Sequence, residues 1–209
     1  MKRITTIAGI AAPLPITNVD TDVIIRIEKL SQLPREELGR WGFEALRFLP
    51  DGSENPDFVL NQEGWRKAPI LVTGANFGCG SSREHAVWAL QGMGINCVVA
   101  PSFGDIFRSN CFQNGLLPVE LPAPDAGTLL AWLVERQQRN EPIGIEVDLQ
   151  GQSIRWPGGT AFPFAIDPYR RTALMEGFDE IDMSLRLATA IDAWQATDRA
   201  KRPWIWQRS

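Results

Sequence analysis

Residues 69–100 read "PILVTGANFGCGSSREHAVWALQGMGINCVVA". Two short apolar runs, 69–74 and 95–100, frame a glycine-containing loop and a stretch of helical period. Ala86, Ala89, Leu90 and Met93 fall at i, i+3, i+4 and i+7, one face of a helix from about Arg83 to Gly92. Neither run alternates with polar residues, which marks a buried strand. A strand, a loop, a helix and a second strand in this order can set two parallel strands side by side.

The pattern continues on both sides. Residues 103–115 suggest a short helix that Asn114-Gly115 stops in left-handed conformation, and 116–121 a third strand. Residues 124–138 form an amphipathic helix that Pro124 can start. Residues 143–156 look like a hairpin around Gly151, and 168–177 and 180–199 are helical. Upstream, 4–16 reads as a first strand that stops at prolines, and 18–25 as a polar turn before a short apolar run. Residues 33–49 can be helical with Pro34 in the first turn, although Gly39 and Gly42 weaken the pattern. With the turn-rich 50–58, residues 26–58 are expected to form a mobile excursion. No repeat or linker divides the chain. The expectation is one α/β domain over residues 1–199 with a helical C-terminus, then a tail over 200–209.

Composition narrows the function classes. With 209 residues, 44% of them hydrophobic, the chain can bury a sizeable core. A net charge of −4 gives no bulk attraction to nucleic acid or to anionic membranes. Cys79, Cys97 and Cys111 are odd in number and widely spaced, unlike a disulfide framework or a CxxC metal site. No leader-like start and no run of about 18 apolar residues is present. A soluble cytoplasmic protein is expected.

The loop within 77–86, "FGCGSSREHA", has two readings. In the first, Ser81 and Glu84 are a capping box, and Gly78 and Gly80 let the chain turn after its strand. In the second, unpaired amides at a helix start make an anion site. Arg83 beside a serine hydroxyl there favours its alkoxide, the form needed to pull a proton from carbon. The two are compatible, since a loop that caps a helix also aims the hydroxyl.

Other motifs fit less well. Arg83 stands where a dinucleotide fingerprint wants its third small residue, and there is no GK[ST] phosphate loop. Ser81 and His85 lack the GxSxG elbow of a hydrolase, and His85 reads as a structural helix residue. An iron–sulfur cluster needs three or four converging thiolates, whereas Cys97 and Cys111 read as buried and Cys79 as a lone thiol at the loop.

Four stretches together resemble one family: "NVDTDVI" (18–24), "GANFGCGSSREHA" (74–86), "SFGDIFRSNCFQNGLLPV" (102–119) and "DEIDMSL" (179–185). They are similar to the small subunit of 3-isopropylmalate dehydratase, a family related to the swivelling C-terminal domain of aconitase, here in its longer bacterial form. The resemblance implies a three-layer β/β/α swivelling domain with extra C-terminal helices. It implies a large-subunit partner whose three cysteines hold a [4Fe-4S] cluster, with no metal on this chain. An open-coordinated iron of that cluster would act as Lewis acid on a dicarboxylate substrate. The implied reaction dehydrates 2-isopropylmalate to 2-isopropylmaleate and rehydrates it to 3-isopropylmalate, a step of leucine biosynthesis.

Carried over residue by residue, the resemblance makes Ser81 the base that takes the carbon-bound proton. Arg83 would keep Ser81 as alkoxide and help bind a carboxylate. Ser82, Gly80 and nearby loop amides would bind the substrate anion, and Asp22 would stand at the site edge, positioning an arginine or solvent. Asn110 and Asn114 read as structural, and Arg108 as a contact to substrate or partner that the sequence does not decide. Many members have proline where Arg26 stands, and 26–48 corresponds to the loop that tells one alkyl group from another. Another 2-substituted malate, of methylmalate or homocitrate type, stays open as substrate, as does a catalytically silent partner role. The tail "KRPWIWQRS" (201–209) has two courses: docking onto the partner, or folding back on its own core.

Overall fold

The computed structural model describes residues 1–31 and 33–206; the parts of the expected loop at Gln32 and of the tail at 207–209 lie outside the described residues. The strands are β1 (Thr6–Leu14), β2 (Ile70–Thr73), β3 (Cys97–Ala100), β4 (Leu117–Glu120), β5 (Gly144–Asp148), β6 (Ser153–Arg155) and β7 (Phe162–Pro163). They form one seven-stranded sheet in the order β4-β3-β2-β1-β5-β6-β7. The first four are parallel, and β1 serves two ladders: Thr6–Ile10 pairs antiparallel with β5 and Ala11–Leu14 pairs parallel with β2.

The all-apolar runs of the sequence are explained by cover on both faces. Leu71, Val98 and Ala100 point to one side, where they meet α4 (His85–Gly92) and α5 (Asp105–Asn114). Ile70, Val72, Cys97 and Val99 point to the other, against α6 (Ala123–Gln138) and the inward residues Val147 and Ile154 of β5 and β6. The two β layers expected from the resemblance are thus halves of one curled sheet. Pro124 lies in the first turn of α6, as expected, and Gly115 closes α5 in the left-handed conformation (φ 73°).

Between β1 and β2 the described residues include the one-turn α-helices Thr21–Ile24, Ile27–Leu30 and Glu44–Arg47. A 3-10 stretch, Arg35–Trp41, replaces the longer helix expected over 33–49. Leu38, Phe43, Phe58 and Trp65 from this region are buried in the same core as α4. Gly39, which weakened the helical pattern, is what the packing needs: a Cβ there would lie 2.3 Å from the carbonyl carbon of Gly92.

After Pro168–Glu176, the single helix expected over 180–199 is two: Glu180–Leu185 and Ala188–Lys201. The first begins in a capping box of Asp179 and Asp182 and is held by buried Met183. The second leaves Ile191 and Trp194 exposed, so no continuous apolar stripe ties the two into one rod. The tail folds onto this last helix: Trp206 Nε1 donates to Asp198 Oδ2 (2.9 Å), and the Arg199 guanidinium lies 4.6 Å from the Trp206 ring centre. Through Trp206 the tail lies along this helix, because the charged partner for the indole sits on the helix itself. Trp204 remains exposed.

Candidate active site

The loop after β2 is pinned on two sides beyond the carboxyl ends of the parallel strands, where open α/β sheets bind ligands. On the β1 side, Asn18 N–H donates to Ala75 O (2.9 Å), Gly78 N–H to Val19 O (2.7 Å) and Thr21 N–H to Cys79 O (3.0 Å). On the β3 side, Phe77 N–H donates to Ser102 O (3.1 Å) and Gly104 N–H to Phe77 O (2.9 Å). Phe77 and Phe107, edge to face with centroids 5.4 Å apart, floor the loop. Gly80 turns the chain back at φ +98°, a conformation that L side chains rarely adopt.

This pinning brings the predicted residues together. Arg83 donates to both carboxylate oxygens of Asp22, Nη1 to Oδ1 and Nη2 to Oδ2, the second at 3.1 Å. The Arg83 guanidinium beside it holds the Asp22 carboxyl below the usual carboxylate range, against a smaller opposing effect of desolvation. In turn the hydrogen bond to Asp22 pushes Arg83 up, and the charges of Asp22, Asp20 and Glu28 add to this. Ser82 and Gly80 are exposed beside the pair, and Asn110 Nδ2 donates to Ser82 O (3.4 Å).

The capping-box reading of Ser81 is corrected. Helix α4 begins at His85 with Glu84 at its N-cap position, so Ser81 lies ahead of the helix. Its hydroxyl instead meets Thr21 Oγ1 at 2.9 Å, and the Glu84 carboxylate accepts from Asn114 Nδ2 at 2.7 Å. Both partners of the expected box are occupied by residues distant in sequence, which local spacing does not reveal. The Ser81 hydroxyl partner is Thr21 and not His85, whose ring packs 4.7 Å from that of Trp88. Arg108 faces Glu120, with N and O 3.9 Å apart, and the ring of Phe112.

Two residues carry more than their sequence signal. Asn114 joins the two helices under the loop: Trp88 Nε1 donates to its Oδ1 (2.8 Å), and its Nδ2 donates to Glu84 and to Asn110 O (2.9 Å). Thr21 is 1% exposed, although it stands between two aspartates in a polar stretch. Its one sequence signal was membership of the "NVDTDVI" motif.

Known proteins resemble the chain along most of its length. A model of the aconitase C-terminal domain matches residues 1–124. The chain is 49% identical to a 3-isopropylmalate dehydratase small subunit of Rhodospirillum rubrum, over 98% of this chain and 97% of that one. The chain belongs to the 3-isopropylmalate dehydratase small subunit family. A small subunit of the same description from Roseobacter denitrificans is 46% identical over 98% of this chain and 100% of its own length. A solved 3-isopropylmalate dehydratase chain from Methanocaldococcus jannaschii aligns with a TM-score of 0.63 at 24% identity, covering 91% of this chain and 99% of that one. That likeness supports the fold, an α/β swivelling domain.

Dehydratases of the aconitase superfamily use a [4Fe-4S] cluster, and the thiols of this family member do not fit one. Cys97 and Cys111 are buried, and burial pushes both thiols well above their ordinary range, the opposite of what a thiolate ligand needs. Cys79 is half-buried at the loop, and among the described residues no three His, Cys, Asp or Glu gather to hold a metal ion. Among the same residues no helix is long and apolar enough to cross a membrane.

Proposed function

We propose that this chain is the small subunit of a 3-isopropylmalate dehydratase, a hydro-lyase of leucine biosynthesis, and that it lends a large subunit the base of the reaction. The observation that carries this reading is the convergence of Ser81, Arg83 and Asp22 on one loop edge, in a chain almost half identical to curated small subunits. The substrate 2-isopropylmalate loses water to give 2-isopropylmaleate, which takes water back to give 3-isopropylmalate.

Ser81 Oγ takes the proton from the carbon beside a carboxylate. A serine alkoxide is unfavourable in water, and the Arg83 cation, two residues along the same loop, would lower that penalty. Arg83 also pairs with a substrate carboxylate, for which its planar fork is suited. Asp22 holds the guanidinium in place before substrate arrives. Ser82 and the Gly80 amide, exposed on the same loop, receive substrate oxygens. The [4Fe-4S] cluster belongs to the large subunit, and the departure of hydroxide calls on groups outside this chain. Residues 26–48 select the alkyl group; a cleft of about 530 Å³ whose lining includes Arg26, Trp41, Glu44, Ala45 and Phe48 is formed by this segment and the residues just after it. The three free cysteines suit the reducing cytoplasm.

The test is anaerobic hydration of 2-isopropylmaleate by this chain mixed with its matched large subunit. Wild type should turn over only as the mixture, and Ser81→Ala should lose about 10²- to 10⁴-fold in kcat while still assembling. Full activity of Ser81→Ala would remove the base assignment. Turnover of another alkylmaleate in place of isopropylmaleate would move the substrate.

A further inference from the structure

Among the described residues, the Thr21 hydroxyl is the one side chain in hydrogen-bond contact with Ser81 Oγ, at 2.9 Å, and its oxygen also accepts from the Ser81 N–H at 3.3 Å. Thr21 is itself immobilised. Its N–H donates to Cys79 O (3.0 Å), its carbonyl accepts from Ile25 N–H (3.0 Å), and the turn it opens is capped by Asp20, whose Oδ1 accepts from Val23 N–H (2.8 Å). It is 1% exposed, so water does not compete for its hydroxyl.

While both hydroxyls are neutral either can donate, but an alkoxide at Ser81 has no hydrogen, so the Thr21 O–H is then the donor. A threonine hydroxyl has one hydrogen and two lone pairs. The Ser81 N–H takes a lone pair of Thr21 Oγ1, and the remaining close partner for the Thr21 hydrogen is Ser81 Oγ. A hydrogen bond donated to the oxygen that must become an alkoxide favours the charged form and lowers its pKa. The same bond fixes the serine rotamer, since oxygen and amide of Ser81 are held by one atom.

We propose that Thr21 is a positioning residue for the Ser81 base: its O–H donates to Ser81 Oγ, setting the alkoxide fraction and the direction in which the free lone pair faces substrate. This rests on Ser81 being the base. It assigns to the residue between Asp20 and Asp22 a task distinct from theirs, since Asp20 caps the turn and Asp22 holds Arg83.

The experiment uses the assembled enzyme with Thr21→Val, Thr21→Ser and Ser81→Ala. Valine keeps the volume and removes the hydroxyl. Thr21→Val should lower kcat by roughly 10- to 100-fold with KM little changed. It should also move the rising limb of the kcat–pH profile to higher pH, because the alkoxide has lost its donor. Thr21→Ser should restore both. In the Ser81→Ala background, Thr21→Val should cause no further loss, as expected for two groups acting as one unit. Ser81→Ala inactive with Thr21→Val at wild-type kcat and pH profile overturns the Thr21 role and leaves the base standing. Equal losses in Thr21→Val and Thr21→Ser with an unmoved limb overturn it too, as a packing effect. Activity retained in Ser81→Ala overturns the base reading and this one with it. Should Thr21→Val fail to assemble, the smaller Thr21→Ala carries the same pH test.

Discussion

Replacing Asn114 by alanine should be among the most damaging single changes outside the apolar core. Its side chain makes three hydrogen bonds: two join α5 to α4, from Trp88 Nε1 and to the Glu84 carboxylate, and the third goes to the Asn110 carbonyl within α5. All three are partly buried, and the alanine variant leaves the Trp88 and Glu84 groups without their partner. At about 1 kcal/mol for each such bond, the expected loss is about 2–3 kcal/mol, read as a lower urea midpoint at unchanged m value. Asn114→Asp sharpens the test. It sets a second carboxylate where an amide nitrogen now lies 2.7 Å from Glu84 Oε1. Like charges raise the pKa of such a pair in the folded state, so the folded protein binds more protons than the unfolded chain in that range. Stability of this variant should therefore rise relative to wild type as pH falls from about 7 toward 4. A loss under about 0.5 kcal/mol in Asn114→Ala, or an Asn114→Asp deficit that ignores pH, would refute the idea that Asn114 braces the helix behind the loop.

Three further outcomes are expected. Asp22→Asn should change stability by only about 0.5 kcal/mol, because the ion pair with Arg83 is solvent-accessible, yet raise KM for the dicarboxylate by loosening Arg83. Because the Asp22 pKa is lowered by Arg83, the small contribution of the pair is present above the unfolded carboxylate pKa of about 3.9 and fades as pH falls through the lower folded value. Native alkylation followed by mass spectrometry should modify Cys79 alone, since Cys97 and Cys111 are buried and kept protonated; reaction of all three without denaturant would contradict the packing. Asp198→Ala should release the tail, because Asp198 accepts from both Arg202 Nε (2.7 Å) and Trp206 Nε1 (2.9 Å). Hydrogen exchange should then quicken over 202–206 while the sheet amides keep their protection.

The chemistry assigned to the site also explains why its residues come from two loops. Carboxylates near Arg83 outnumber it in this chain, with Asp20, Asp22 and Glu28 all acting on the guanidinium. Such a neighbourhood keeps the arginine ordered, and in the proposed reaction a dicarboxylate would share or replace the hold of Asp22. Ser81 is spared that competition because its partner is the neutral Thr21 hydroxyl.

What the sequence by itself determined is local in origin. The strand–loop–helix–strand order of 69–100 follows from run length and period, and the structure sets β2, α4 and β3 there. The stop at Gly115 and the start of α6 near Pro124 follow from backbone restrictions of single residues. The family was carried by four motifs quoted from the sequence, and Ser81, Arg83 and Asp22 lie within them. The tertiary structure decided what those residues touch. Nothing in local spacing tells that Ser81 is matched to Thr21 and Glu84 to Asn114, so the capping box that the sequence suggests is not made. For Glu84 the reason is that α4 lies beside α5; for Ser81 it is the parallel pairing of β1 with β2. It carries the loops that follow both strands to the same edge, where the backbone bonds from Asn18 to Thr21 hold them in register. Hydrogen-bond register between strands far apart in sequence sets that meeting, and no pattern within either strand records it.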